Sequence, residues 1–367
     1  MTSKLQKYFP SIRSRKEVLE EIEKNAELLT EFESWKEEQQ EEFLEFCSGI
    51  RGVKILYDTF FKEIFSPEYH PERIERLISL LLGKTVRIRQ VLPNDTVRLA
   101  DESTLLITDI VVELEDESLA NIEIQKIGYA FPGQRMACYS ADMLLRQYKR
   151  AKSRRKSKFT YRDIKNVYTI IFFEKSTEEF HGIKSSYIHN SRQVFDTGLE
   201  LDMLQEFVVI PLDIFNSAMH NKTIDNELEA WLTFLATDSP ERIIELIETY
   251  PQFKAMYEEI YDICRNMEEV MGMFSKELAE LDRNTVQYMI EEQERKIQEQ
   301  KKQIQENEKQ IQESEKKIQE NEKKLLEGAK KLDESQTQLH EKSMQLTVKE
   351  QEIAELKRRI EELSAEK

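Results

Sequence analysis

Ile290, Ile297, Ile304, Ile311, Ile318, Leu325, Leu332, Leu339, Leu346, Ile353 and Ile360 stand seven residues apart without a slip. A constant spacing of seven demands a helix, and it winds any paired helices into a left-handed supercoil, because a turn of 3.6 residues drifts against a repeat of 3.5. The second seam is weak. Three positions on from each of these residues lie Gln293, Gln300, Asn307, Ser314, Asn321, Gly328, Ser335, Lys342 and Lys349, and only Leu356 and Leu363 complete an apolar pair. Two readings stand: a solvated helix held by Glu–Lys pairs along its own surface, and a polar-cored coiled coil whose Asn and Gln fix register. The length of the stripe favours the second. A homo-oligomer formed through residues 285–367 is the expectation.

A chain of 367 residues has room for more than this helix, taking a domain as roughly 100–200 residues. Residues 15–50 carry Leu19, Ile22, Leu28, Leu29, Phe32, Trp35, Phe43 and Phe46 at mostly helical spacing, which predicts a leading helical segment over 1–50. ILYDTFFKEIF and ERIERLISLLLG continue helical up to Gly83, a stop signal. The period then changes. VRIRQVL (86–92), TLLITDIVVEL (104–114) and LANIEIQKI (119–127) are short, rich in β-branched residues and bounded by PND and DES, so they read as strands. QRMACYSADMLLRQYKR (134–150) reads as helix, followed by a basic loop over 149–162. NVYTIIFFEK (166–175) reads as a strand buried on both faces, and LQEFVVIPLDIF (204–215) as another. Together they predict an α/β domain, mixed helices around one mixed sheet, over 51–220. Residues 221–284 read as a helical extension.

The net charge of −17 has acid collected at the ends of the sequence and base in the middle. It argues against a protein that coats nucleic acid at large, but permits a local basic site. Cys47, Cys138 and Cys264 form no metal-spaced pair, which fits a reduced, cytoplasmic setting. No run of about 18 apolar residues interrupts the chain, so membrane spanning is not expected.

Chemistry concentrates on two predicted strands. Asp109 lies in LLITDIVVEL and Glu123 and Gln125 in NIEIQKI, joined by the acidic turn EDES. A hairpin there brings Asp109 up to Glu123, and alternation places Glu123 and Gln125 on one face with Ile122, Ile124 and Ile127 on the other. Two hard carboxylates of this kind suit Mg²⁺, which keeps several waters and takes further ligands from a phosphate. Spacing alone is better described by the polar face of a half-buried strand.

The succession of DTFFKEIF (58–65), TDI (108–110), NIEIQ (121–125), QRMACY (134–139), VYTIIFFE (167–174) and an H-N-S-R stretch leading into FVVIPLDIF (207–215) resembles the PD-(D/E)XK nuclease family transposases, also called recombination-promoting nucleases. The resemblance implies a restriction-endonuclease-like core. It also implies Asp109 and Glu123 as metal ligands, for Mg²⁺ or Mn²⁺, and Gln125 in the slot where the wider superfamily has Lys. A neutral Gln125 can hydrogen-bond but cannot carry charge. Lys126 belongs to the opposite face of an unbroken strand.

Arg135 and Tyr139 match the family's R-x3-Y pattern and share a helix face. They are candidates for DNA phosphate, or else for an ion pair and a core position. Asp58, Phe61 and Lys62 match its D-x-x-F-K motif, with Phe61 in the core and Asp58 and Lys62 either supporting the site or forming a plain i,i+4 pair. Within the basic run, Arg154, Arg155 and Lys156, beside Phe159 and Tyr161, are candidate DNA contacts or a solvated loop. His181 and His189 receive no catalytic role. The function expected is metal-dependent hydrolysis of DNA phosphodiesters by an endonuclease linked to transposition or recombination. The alternative is a degenerate nuclease fold acting as a scaffold or regulator through its coiled coil.

Overall fold

The computed structural model describes residues 3–93, 109–126, 132–183 and 185–365. Residues 104–108 and Ile127, which the sequence assigns to strands, lie outside these. Two compact units divide the chain, Met1–Glu292 and Gln293–Lys367.

The first unit opens with α1 (Arg15–Lys24), α2 (Ala26–Ser34) and α3 (Glu37–Cys47), followed by α4 (Asp58–Ile64) and α5 (Pro71–Leu82). The 15–50 segment is thus three helices. Ser14 caps the first with a capping box, and Asn25 caps the second by accepting from Glu27 N–H at 3.0 Å. Gly83 ends α5 in the left-handed region at φ +63°, as its position predicts. The central elements are β1 (Ile88–Val91), β2 (Ile110–Leu114), β3 (Leu119–Gln125), α6 (Pro132–Arg155), β4 (Val167–Phe173), α7 (Glu178–His181), β5 (His189–Arg192) and β6 (Gln205–Pro211). Then come α8 (Leu212–Ala218), α9 (Glu227–Ala236), α10 (Pro240–Thr249), α11 (Gln252–Ile263) and α12 (Met267–Ala365).

The fold is mixed α/β, built on a six-stranded sheet in the order β1-β2-β3-β4-β6-β5. β2 and β3 form the antiparallel hairpin that the EDES turn predicts, with Ile110 opposite Ile122 and Val111 opposite Asn121. β3–β4 and β4–β6 are parallel. β4 lies between two parallel neighbours and every one of its residues is buried, as its unbroken apolar sequence requires.

Alternation sorts the two sheet faces. Ile110, Val112, Ile122, Ile170, Phe172, Val208 and Ile210 join the main core, which runs from Leu5 to Phe274 and takes in α1–α5 and α9–α11. Trp35, Phe43, Phe46 and Phe274 pack ring against ring there. The leading helices and the 221–284 helices therefore share one core with the sheet. The other face lies under α6, where apolar contact is split into two small groups, one around Val111, Leu119, Val167 and Met143, the other around Ile171, Phe173 and Val209.

Three expectations about element boundaries need correction. LQEFVVIPLDIF is strand only as far as Pro211; Leu212 starts α8, and proline, lacking an N–H, suits a strand end. HNSR, read as no element, pairs antiparallel with β6 as the edge strand β5. The basic run does not begin a loop at 149, since α6 continues to Arg155. Arg150 and Arg154, four apart on the sheet-facing side, both clasp the fully buried Glu113 of β2, and that pairing holds the added turn of helix.

The second unit consists of residues 293–365 of α12. Its stripe is open: Ile297 is 49% exposed, Leu325 73% and Ile360 64%. No helix among the described residues is long and apolar enough to cross a membrane.

Candidate metal centre

Asp109 immediately precedes β2, so the hairpin register carries it alongside Glu123, on the face that α6 covers. Each carboxylate is held by the other strand's backbone. Asp109 Oδ2 accepts from Ile124 N–H at 2.7 Å, and Glu123 accepts from the N–H of Asp109. Asn121, two residues before Glu123 on the same face, donates its Nδ2 to Glu123 Oε1 at 2.9 Å.

Burial dominates the electrostatics. It pushes Asp109 up to about 6; the Ile124 N–H and Lys62 pull the other way, while the charges of Asp58 and Glu280 add to the rise. Glu123, 2% exposed, is raised well above the carboxylate range by burial first and by the Asp109 charge second. Two carboxylates this close and this dry repel each other, and a bound cation relieves both.

Lys62 connects α4 to the pair. Its Nζ is 2.8 Å from Asp58 and 3.7 Å from Asp109. Burial works against its charge, but the hydrogen bond from Lys62 to Asp58 and the acids around it keep its pKa above the ordinary lysine value. The i,i+4 pair and the link to Asp109 coexist in one side chain.

Gln125 is buried and turned toward α6, where it shares the Tyr139 hydroxyl with Arg135, whose Nη2 donates at 3.3 Å. Burial, followed by the Glu123 charge, pushes Tyr139 up to about 12. Lys126 points to the other side of β3 and forms a buried ion pair with Glu277 of α12. His181 pairs with Asp213 at 3.2 Å, in another part of the structure.

The sequence reading missed three polar residues. Asn121 was legible, since it shares the period-two face of Glu123. Glu277, which accepts from Asp58 N–H at 3.1 Å, and Glu280, whose charge reaches Asp109 and Lys62, come from α12 and carry no local signal. In the basic run, Arg154 is bidentate on Glu113, and Arg155 pairs with Glu117 and Asp163. Of the three candidates there, Lys156 alone has no acid partner among the described residues.

The family model for PD-(D/E)XK nuclease family transposases matches residues 55–291. This chain belongs to that family. Membership accounts for the mixed sheet, a restriction-endonuclease-like fold, and points to a nuclease- or transposition-related function. Nucleases of the PD-(D/E)XK type generally use divalent metals. The matched span contains Asp58, Lys62, the hairpin, α6 and the α12 acids, and it ends as the heptad stripe begins. No curated protein and no solved structure matches the chain.

The donor set fits a small hard dication. Among the described residues no three His, Cys, Asp or Glu side chains cluster as a closed metal cage. An oxygen-ligated Mg²⁺ does not need one, because it takes one or two carboxylates and completes its shell with water and phosphate. Asn121 Oδ1 and Thr169 Oγ1, facing each other across β3 and β4, are buried without a hydrogen-bond partner, leaving unpaired oxygen beside Glu123.

The raised Asp109 makes a prediction for the metal-free protein. Folded Asp109 keeps its proton up to about pH 6, against 3.8 ordinarily, so the folded state binds more protons in that window and stability falls as pH rises through it. Asp109→Asn removes the penalty while keeping an acceptor for Ile124 N–H. In EDTA at pH 7.5 it is expected to gain about 1–3 kcal/mol, a Tm rise of several degrees, and to gain little at pH 4.5. Thermal denaturation at both pH values tests this, and an unchanged Tm at pH 7.5 would defeat it.

Proposed function

We propose that the chain is a divalent-metal-dependent DNA endonuclease, with Mg²⁺ or Mn²⁺ held by Asp109 and Glu123. The observation that carries this reading is the buried pair of backbone-oriented carboxylates on adjacent strands, both raised by burial, with the Asp109 charge raising Glu123 further. A bound dication lowers the pKa of an attacking water and neutralises charge on the phosphate in the transition state.

The chain's own groups have separate tasks. The N–H groups of Ile124 and Asp109 and the Asn121 amide fix the two carboxylates in place. Lys62 holds a positive charge beside Asp109, where a phosphate oxygen approaches, and Asp58 steadies it. Gln125 orients water by hydrogen bonding only, with no charge to stabilise an anion. Arg135, held against the Tyr139 hydroxyl, meets the DNA backbone from α6. Strand transfer and end recognition are not assigned.

Gln125 in the lysine slot favours a second reading, a degenerate nuclease fold retained as a scaffold. Cleavage of supercoiled plasmid by purified protein with Mg²⁺, Mn²⁺ or EDTA decides between them. Metal-dependent nicking supports the enzyme, and a folded protein inert with every metal supports the scaffold.

The heptad stripe supports self-association. Eleven apolar side chains in one row gain most from a second copy of the same row, and a parallel pair sets Lys317 against Glu322 and Glu352 against Lys357 across the seam. Removal of residues 293–367 is expected to give a smaller oligomer by light scattering, with metal dependence unchanged; an unaltered molar ratio of subunits would refute the role.

A further inference from the structure

Beyond the arginines spent on Glu113, Glu117 and Asp163, the basic segment leaves Lys149, Lys156, Lys158 and Arg162 without an acid partner among the described residues. In a chain of net charge −17 these cations are interleaved along the sequence with a set of surface aromatics. Tyr161 is 76% exposed and stacks on Tyr148, rings 6.4 Å apart and inclined by 24°. Phe159 packs edge-on against both, at 5.5 Å and 5.7 Å. Lys152 lies 5.4 Å above the Tyr148 ring.

The turn that presents Tyr161 is built. Asp163 accepts from Thr160 N–H at 2.7 Å and pairs with Arg155 at 3.3 Å, tying the turn to the end of α6. Lys156 leaves that helix in the left-handed region at φ +52°, a conformation that costs a side-chain-bearing residue on the order of 1 kcal/mol. The chain thus keeps a strained lysine five positions before an open ring.

We propose that this patch binds an unpaired DNA strand, a base stacking on Tyr161 and the flanking phosphates meeting Lys156, Lys158 and Arg162. Exposed rings among free cations suit single strands, since a base offers its face only when it is unstacked from a duplex. Tyr148 lies nine residues beyond Tyr139, about 14 Å along α6 and half a turn around it. The patch is therefore a second contact, separate from the carboxylate pair. The choice of DNA as the strand rests on the nuclease reading.

Fluorescence anisotropy in EDTA, on the full chain, tests the patch without cleavage. A labelled twenty-nucleotide oligo(dT) is expected to bind more tightly than a twenty-base-pair duplex. Tyr161→Ala should weaken the strand roughly fivefold or more, while Tyr161→Phe retains wild-type binding. Lys156→Glu/Lys158→Glu should weaken binding and flatten its dependence on salt. Preference for the duplex, or wild-type binding by Tyr161→Ala, overturns the proposal. Strand binding with these mutant effects but no cleavage in Mg²⁺ leaves the patch standing while the nuclease reading fails.

Discussion

Asp109→Ala/Glu123→Ala is expected to abolish metal-dependent nicking of supercoiled plasmid, a loss of about 10³-fold or more, because metal-borne charge stabilisation amounts to several kcal/mol. The double variant should fold. Each carboxylate sits in the site at an electrostatic cost, since burial raises both, with Asp58 and Glu280 adding to the rise of Asp109 and the Asp109 charge to that of Glu123. What alanine leaves behind is the N–H of Ile124, the N–H of Asp109 and the Asn121 amide, in a region already holding polar groups. Circular dichroism and the Tm of the variant separate loss of chemistry from loss of structure. Nicking at the wild-type rate from a folded variant would remove both residues from the mechanism. The single variant Asp109→Asn should lose activity to a similar degree while gaining stability without metal, the signature of a site built for a cation.

The largest expected loss of stability comes from Lys126→Met. Lys126 and Glu277 form an ion pair with side chains 5% and 1% exposed, joining β3 to α12 beneath the sheet. Removing one partner leaves an uncompensated buried charge, which costs about 3–5 kcal/mol, whereas replacing both with apolar groups can be neutral. Denaturant unfolding should show the single variant strongly destabilised and Lys126→Met/Glu277→Leu largely restored. The restoration should be incomplete, because Glu277 also accepts from the Asp58 N–H. If the single variant unfolds at the wild-type midpoint, the pair is not what anchors α12. Both variants keep Asp109 and Glu123, so any change in nicking reports how far the α12 anchor steadies the site.

Much of the candidate site's geometry was legible in advance. A period of two along NIEIQ places Glu123 and Gln125 on one face, and the EDES turn forces the hairpin that delivers Asp109, both consequences of local backbone geometry. The burial of β4 followed from its continuous apolar sequence. The length of α6 did not follow. Its last turn is basic and looks like solvated chain, yet it is held by Glu113, whose burial no local pattern announces.

Residue order alone was enough for the family, the paired strands with their two carboxylates, and the helical stripe that begins at Ile290. Which charges meet emerged with the packed fold: Lys62 with Asp109, Lys126 with Glu277, Arg154 with Glu113, and Glu280 near the carboxylate pair. Local periodicity sets the face a side chain takes. Its partner across 151 positions, as for Lys126 and Glu277, is set by how whole elements pack, and packing leaves no trace in the spacing of residues along the chain.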